Sequence, residues 1–194
     1  MSEQMLKELM VADVLIAHLA DSMETVFAKI SARPEQFVVI LDEENVPLHL
    51  TTGREMKSKM PRSLDWPQVR DLSARLPEAL LVDQDVTLSR AMIFFNILSD
   101  STPQPPGLVV MRADQVAGVL SYDVLSDYFQ TELVLESQTK DGGIVRGGVP
   151  QTIADAVFQC RRYPRCSFES SAAMIDEPPL CGAQPAHGRT RLKA

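Results

Sequence analysis

The strongest constraint on this chain is that one order of apolar runs, caps and turns occurs twice. In the first occurrence Val14 to Leu19 is a short apolar stretch, and Asp21-Ser22 offers an N-cap to a helix with Met23, Val26, Phe27 and Ile30 on one face. Arg33-Pro34 stops that helix, because the residue before a proline is pushed out of helical geometry. A strand-like run, Phe37 to Leu41, then a turn, Asp42-Glu43-Glu44-Asn45, then a second strand from Val46 to Thr51 follow, with a short helix starting near Gly53. The second occurrence has a strand at Ala79 to Val82, a helix from Leu88 to about Leu98 capped by Asp85 and Thr87, and a proline loop at Pro103, Pro105 and Pro106. Strands at Leu108–Met111 and Val116–Leu120 flank the turn Arg112 to Gln115, and a last helix runs from about Tyr122 to Val134. A shift of 70 residues lays Val39-Ile40 on Val109-Val110, Val46 on Val116, Leu50 on Leu120 and Thr51 on Ser121. The fold class is therefore α/β, two βαββα units side by side, because a recurring period constrains architecture more than any one helix assignment.

The units are expected at 5–70, with a structured connector over Met60 to Pro77, and at 71–136. Beyond them the character changes. Asp141 to Val149 holds four of the nine glycines, so 137–150 is predicted to be a linker. In the remaining segment, 151–194, Thr152 to Gln159 is predicted to be a short helix, with Ile153, Ala156 and Val157 on its apolar side. From Cys160 onward large apolar residues are too few for an independent core.

All three cysteines fall in that segment. Cys160-x5-Cys166 and Cys181-x5-His187 are matched pairs fourteen residues apart, a Cys3His set of the kind that holds structural zinc. Metal binding would supply folding energy that apolar burial cannot, and prolines at 164, 178, 179 and 185 could tighten the wider-than-usual loops. The competing reading is a basic tail with unconnected thiols. No signature of a nucleophilic cysteine surrounds any of the three, and His18 and His49 lie in apolar strand-like runs, so no catalytic residue is predicted.

Charge sharpens the division. The net charge of -7 argues against nucleic acid or anionic membrane as partners, yet 160–194 carries six basic residues (Arg161, Arg162, Arg165, Arg189, Arg191, Lys193) and three acidic ones (Glu169, Asp176, Glu177). That segment can lie against the acidic body or meet an acidic partner. No apolar run approaches the ~20 residues that span a bilayer and no secretory signal is visible, so a cytoplasmic protein is expected.

The duplicated unit resembles the cystathionine-β-synthase (CBS) domain over roughly residues 5 to 134. The likeness rests on the apolar stretch before the first helix, the strand–turn–strand element, and the closing run Gly118-Val119-Leu120-Ser121-Tyr122-Asp123. The resemblance implies a tandem pair acting as a regulatory sensor rather than an enzyme, paired into a homodimer through helices bearing Met23, Phe27, Met92, Phe94 and Phe95. It also implies an adenosine nucleotide (AMP, ADP or ATP) between the units, with candidate residues Thr51, Thr52, Gly118, Ser121 and Asp123. A closing aspartate would take the ribose hydroxyls, and hydroxyls at a helix start would face phosphate. The sequence departs from the family here: only Tyr122 separates Ser121 from Asp123, and the first unit has Gly53-Arg54-Glu55 with no aspartate. Ser121 and Asp123 as mere helix caps is the other reading. So is a pair that serves only as a dimerisation scaffold, its C-terminal segment contacting a partner protein.

Overall fold

The computed structural model describes residues 4–59, 68–139, 156–172 and 177–194. The elements of the first unit are α1 (Leu6–Leu9), β1 (Leu15–His18), α2 (Met23–Ala32), β2 (Phe37–Leu41), β3 (Pro47–Thr52) and α3 (Gly53–Ser58), with α4 (Arg70–Ser73) in the connector. The second unit contains β4 (Leu81–Asp83), α5 (Leu88–Ala91), a 3-10 turn (Met92–Phe94), α6 (Phe95–Asp100), β5 (Gly107–Arg112), β6 (Gln115–Ser121) and α7 (Tyr122–Thr139). Then come β7 (Ala156–Cys160), β8 (Glu169–Ala172), a 3-10 turn (Pro185–His187) and β9 (Thr190–Leu192). Caps follow the sequence: Ser22 accepts from the Thr25 amide and Thr87 from that of Arg90.

Both units build the same sheet. β1 runs parallel to β2 and β2 antiparallel to β3, just as β4 runs parallel to β5 and β5 antiparallel to β6. Each hairpin has a register shift, between Ile40 and Leu41 in one and between Val110 and Met111 in the other, which is the same 70-residue offset. The central strands β2 and β5 are buried on both faces, which is why they read as continuous apolar runs. Val39 and Leu41 meet Val109 and Met111 in the core between the two units. Val38 and Ile40 face the helices of the first unit, and Leu108 and Val110 face those of the second.

The segments leading into each unit cross over. Val11 exchanges backbone hydrogen bonds with Val119 of the second unit, while Ala79 donates to Leu48 and Leu50 donates to Pro77 in the first. Leu6 is fully buried in the second unit's core. Gly118 is required at this crossing: a β-carbon there would lie 2.6 Å from the Val11 carbonyl oxygen.

Three expectations are corrected. The stretch assigned to a helix over 152–159 is a strand from Ala156 to Cys160, and 151–155 lie outside the described residues. Val, Phe and Cys suit a pleat, and β7 has β8 and β9 as antiparallel partners. The helix of the second unit is not continuous over Leu88–Leu98 but passes through the 3-10 turn at Met92–Phe94. The predicted linker begins late, because α7 extends to Thr139; the glycine-rich run 141–149 lies outside the described residues, as does 60–67 of the connector.

The C-terminal element has no core of its own, as predicted, but it shares one. Strand β9 pairs parallel with β4, so the second unit's three strands become a six-stranded sheet in the order β6-β5-β4-β9-β7-β8. Ala156, Phe158 and Leu192 are buried with Leu80, Val82 and Phe94, and the Phe158 ring meets Phe94 edge-on at 6.2 Å. Met23, Met92 and Phe94, offered as an assembly face, are interior residues. Phe27 is only partly buried, and Phe95 stacks on Tyr122 and Phe129. Among the described residues no helix is long and apolar enough to cross a membrane.

Candidate metal centre and ligand cleft

The two predicted ligand pairs meet. Strand β7 delivers Cys160, and the chain then turns tightly: Tyr163 donates to the Cys160 carbonyl at 3.0 Å, Cys166 to that of Arg162 at 3.2 Å, and the Arg162 amide points at the Cys160 sulfur at 3.4 Å. On the second arm Cys181 donates to the Gly188 carbonyl at 3.0 Å, and the 3-10 turn of Pro185–His187 brings the imidazole back. Gly188 closes that turn at φ 72, a conformation that favours glycine. Phe168 packs on the cluster and over Gly182.

Cys160 Sγ lies 3.5 Å from His187 Nδ1, Cys166 Sγ 3.6 Å from Cys181 Sγ, and Cys181 Sγ 3.8 Å from His187 Nδ1. All four atoms lie within 4.8 Å of one another. Ligand bonds of ~2.3 Å to sulfur and ~2.0–2.1 Å to nitrogen in a tetrahedron require edges of roughly 3.8 and 3.6 Å. The residues therefore fit a four-coordinate metal ion, with Cys160, Cys166, Cys181 and His187 as its holders. Four protein ligands leave no open position for a substrate or water, the arrangement of a structural centre.

Ionisation of the thiols is uneven. Burial pushes the Cys160 thiol up to about 12. Burial also opposes ionisation of Cys181, but the Gln184 amide, His187, Cys166 and the Ala183 amide outweigh it and bring that thiol down to about 7. Cys181 thus ionises before Cys160, and a bound cation would draw the proton from Cys160.

The arginines around the ligands face the acidic body. Arg161, with a side chain only 4% exposed, approaches Glu78 at 3.5 Å, donates from Nε to the Arg189 carbonyl at 2.6 Å and reaches the Pro47 carbonyl at 3.3 Å. Arg162 bonds Asp42 at 3.1 Å and pairs with Glu44, which Arg165 also meets at 3.1 Å. Arg189 pairs with Glu78 at 3.3 Å and with Glu177, while Arg191 is 3.6 Å from Asp83 and donates to the Ala113 carbonyl. Of the two destinations open to the basic segment, the fold uses the first: it lies on the body. Its arginines were legible as a charge imbalance; Glu78 carried no signal in the sequence.

A cleft of about 960 Å3 opens where the C-terminal element meets the second unit. The end of the connector (Leu76, Pro77) with Glu78 and Leu80 leading into β4 forms one wall and the end of α6 with its proline loop (Asn96 to Pro105) another. Glu177, Pro178 and Arg189 form the third. The predicted nucleotide residues are not among those lining it. Thr51 is buried and donates to Glu55 at 3.1 Å, Thr52 caps α3, and Gly118 supports the crossing with Val11. Ser121 accepts from the Val124 amide at 3.3 Å, the cap position, and Asp123 is exposed on the first turn of α7.

No family model matches the sequence, and no curated protein matches it. Solved structures do. A CBS domain-containing protein of unknown function from Kribbella flavida is 14% identical, covering 68% of this chain and 99% of its own, with a TM-score of 0.50. The CBS domain of a putative transporter from Clostridium difficile is 15% identical, covering 67% and 96%, also with a TM-score of 0.50. A conserved CBS domain protein of unknown function from Thermoplasma acidophilum is 17% identical over 87% of this chain and 99% of its own, with a TM-score of 0.49. The first two likenesses are of fold, and with the duplicated sheet order they establish that this chain has the fold of a tandem CBS pair.

Proposed function

We propose that the chain is a non-catalytic regulatory module in which a CBS pair carries a zinc-stabilised C-terminal element and takes an adenosine ligand in the cleft. The observation that carries the reading is the Cys3His cluster, three of whose six edges measure 3.5–3.8 Å, the length a tetrahedral ion requires, with all four ligand atoms within 4.8 Å of one another. Closure by four protein ligands makes the ion's contribution one of folding energy, ~10–16 kcal/mol apparent in small zinc-finger peptides. Elemental analysis of protein purified without chelator tests it, with one zinc per chain expected. The tetrahedral d–d spectrum of a cobalt-substituted sample tests the ligand set, and Cys166→Ser should abolish both.

The ligand half of the proposal rests on the size and mixed lining of the cleft. Its charges are three carboxylates (Glu78, Asp100, Glu177) against one guanidinium that already serves two of them. Added phosphates therefore meet growing repulsion, and the expected order of affinity is AMP over ADP over ATP. Isothermal titration checks the order. Asp123→Ala should leave AMP affinity within about twofold, because Asp123 stands outside the lining. A ten- to hundredfold loss, the usual effect of deleting a charged acceptor, would instead move the site to the start of α7. The scaffold reading is favoured by the use of Thr52 and Ser121 as caps, and absence of binding by all three nucleotides would select it. Homodimerisation belongs to either reading, with Phe27 and Phe95 the two of the five offered residues that are only partly buried within one chain; light scattering is its test.

A further inference from the structure

We infer that the metal cluster is a switch for the CBS pair: occupancy by a divalent metal closes a clasp that fixes the first unit's hairpin and shapes one wall of the cleft. The inference rests on reading Cys160, Cys166, Cys181 and His187 as a metal centre, and goes beyond it by giving the centre something to control.

Each ligand pair carries one arm of the clasp. The loop between Cys160 and Cys166 holds Arg161, Arg162 and Arg165, and these reach Glu78, Asp42 and Glu44 of the body. The second arm brackets its ligands with cleft residues: Glu177 and Pro178 shortly before Cys181, and Arg189 two residues after His187. The arms are joined where Arg161 Nε donates to the Arg189 carbonyl at 2.6 Å. A metal ion tying Cys160 and Cys166 to Cys181 and His187 thus fixes the hairpin contacts and the cleft wall relative to each other.

Asp42 is the point at which the first arm acts. One carboxylate oxygen, Oδ1, accepts from the Glu44 and Val46 amides and so shapes the hairpin turn, at 2.8 and 2.9 Å. The other, Oδ2, accepts from Arg162 at 3.1 Å. Arg162 is itself strained in its polar balance, because its buried Nε has no hydrogen-bond partner. Its terminal nitrogens pair with Asp42 and Glu44, and the ligands Cys160 and Cys166 flank its loop on both sides, so a metal that ties those ligands down adds to the hold on Arg162. The alternative is that the clasp needs no metal, since β7 and β9 are already anchored in the second unit by Phe158 and Leu192.

Hydrogen exchange on the full chain, with zinc alone as the probe, decides between them. Reduced protein stripped by chelator and freed of it is compared with the same protein given one equivalent of zinc. Tenfold or greater slowing is expected at the amides of 44–46 and of 78–80, with no change in helix α2, whose core lies away from the clasp. Zinc-loaded Arg162→Ala should lose the slowing at 44–46 while keeping it at 78–80 and keeping one zinc per chain. Zinc bound one-to-one with unchanged exchange at both places would overturn the inference and leave the metal centre intact. Failure to bind zinc at all would remove both.

Discussion

The two hairpin turns of the pair occupy equivalent places and carry opposite chemistry. The first, Asp42-Glu43-Glu44-Asn45, is acidic and is gripped by Arg162 and Arg165. The second, Arg112-Ala113-Asp114-Gln115, offers Arg191 only the backbone carbonyl of Ala113. Duplication fixed where the turns stand, since both follow a register shift 70 residues apart. Divergence of a few turn residues then decided how each unit holds the C-terminal element. The first unit holds it by ion pairs, largely buried at Asp42 and exposed at Glu44, and the second mainly by a shared sheet and a shared core, with Arg191–Asp83 beside them. Joints of these two kinds should break differently, the apolar one with a large effect that salt barely alters, the ionic one with a small effect that salt and acid control.

The largest effect is expected at the apolar joint. Phe158 is fully buried among residues of the second unit and its ring stands edge-on to Phe94. Phe158→Ala should cost ~3–5 kcal/mol, the usual range for a buried phenylalanine, and the loss should be the same at low and high salt. Urea unfolding at two ionic strengths reads both parts. A loss below ~1 kcal/mol would mean that the element is docked by its charges instead.

Arg161 comes next, because it belongs to both joints. It bridges Glu78, the Pro47 carbonyl and the Arg189 carbonyl while almost wholly buried, and burial draws its pKa below the usual arginine value. Arg161→Met keeps the apolar stem and leaves two carbonyls without their donor, at an expected ~1–3 kcal/mol. Glu78 is half exposed and regains water, which holds the cost below that of orphaning a buried charge. Arg161→Lys should recover only part of the loss, since one ammonium cannot reproduce a fork spread over three acceptors. Equal stability of the Met and Lys variants would reduce Arg161 to packing.

How much of this was legible in the sequence follows the range of the interactions. The repeat was visible because β2 and β5 are buried on both faces and print that burial as Val-Val-Ile-Leu and Leu-Val-Val-Met. The metal ligands were visible because residue type and matched spacing are local signals. β7 was misread because Ile153, Ala156 and Val157 fall at helical spacing, whereas its strand character depends on its partners β8 and β9, the latter more than thirty residues on. The cleft was invisible because its three walls come from three separated segments. Ser121 and Asp123 were offered by motif likeness; Ser121 caps α7, as such a residue does at any helix start, and Asp123 stands exposed on the first turn.

The smallest effect is expected at Glu44, and it isolates the ionic joint. The Arg162 guanidinium hydrogen-bonds its carboxylate and, with Arg165 adding to the effect, holds it below the usual glutamate range against the opposing effect of desolvation. A carboxylate whose pKa is lower folded than unfolded binds fewer protons in the folded state. Its stabilising contribution is therefore present above the ordinary glutamate value and fades as pH falls through the lowered one. Because Glu44 is about half exposed to solvent, added salt should shorten the reach of the interaction, with a Debye length of ~10 Å at 0.1 M. A carboxyl-detected NMR titration should then show Glu44 titrating below the ordinary glutamate value at low salt and moving toward it at high salt. Arg162→Ala should move it most of the way at any salt, and Arg165→Ala only part of the way, since Arg162 also carries the bond to Asp42 that orients it. Phe158→Ala should leave the Glu44 midpoint low as long as the chain is folded, because β9 still pairs with β4. A Glu44 midpoint that rises with Phe158→Ala as far as with Arg162→Ala would show that the two joints are one, and that the hairpin arm docks only when the shared core is complete.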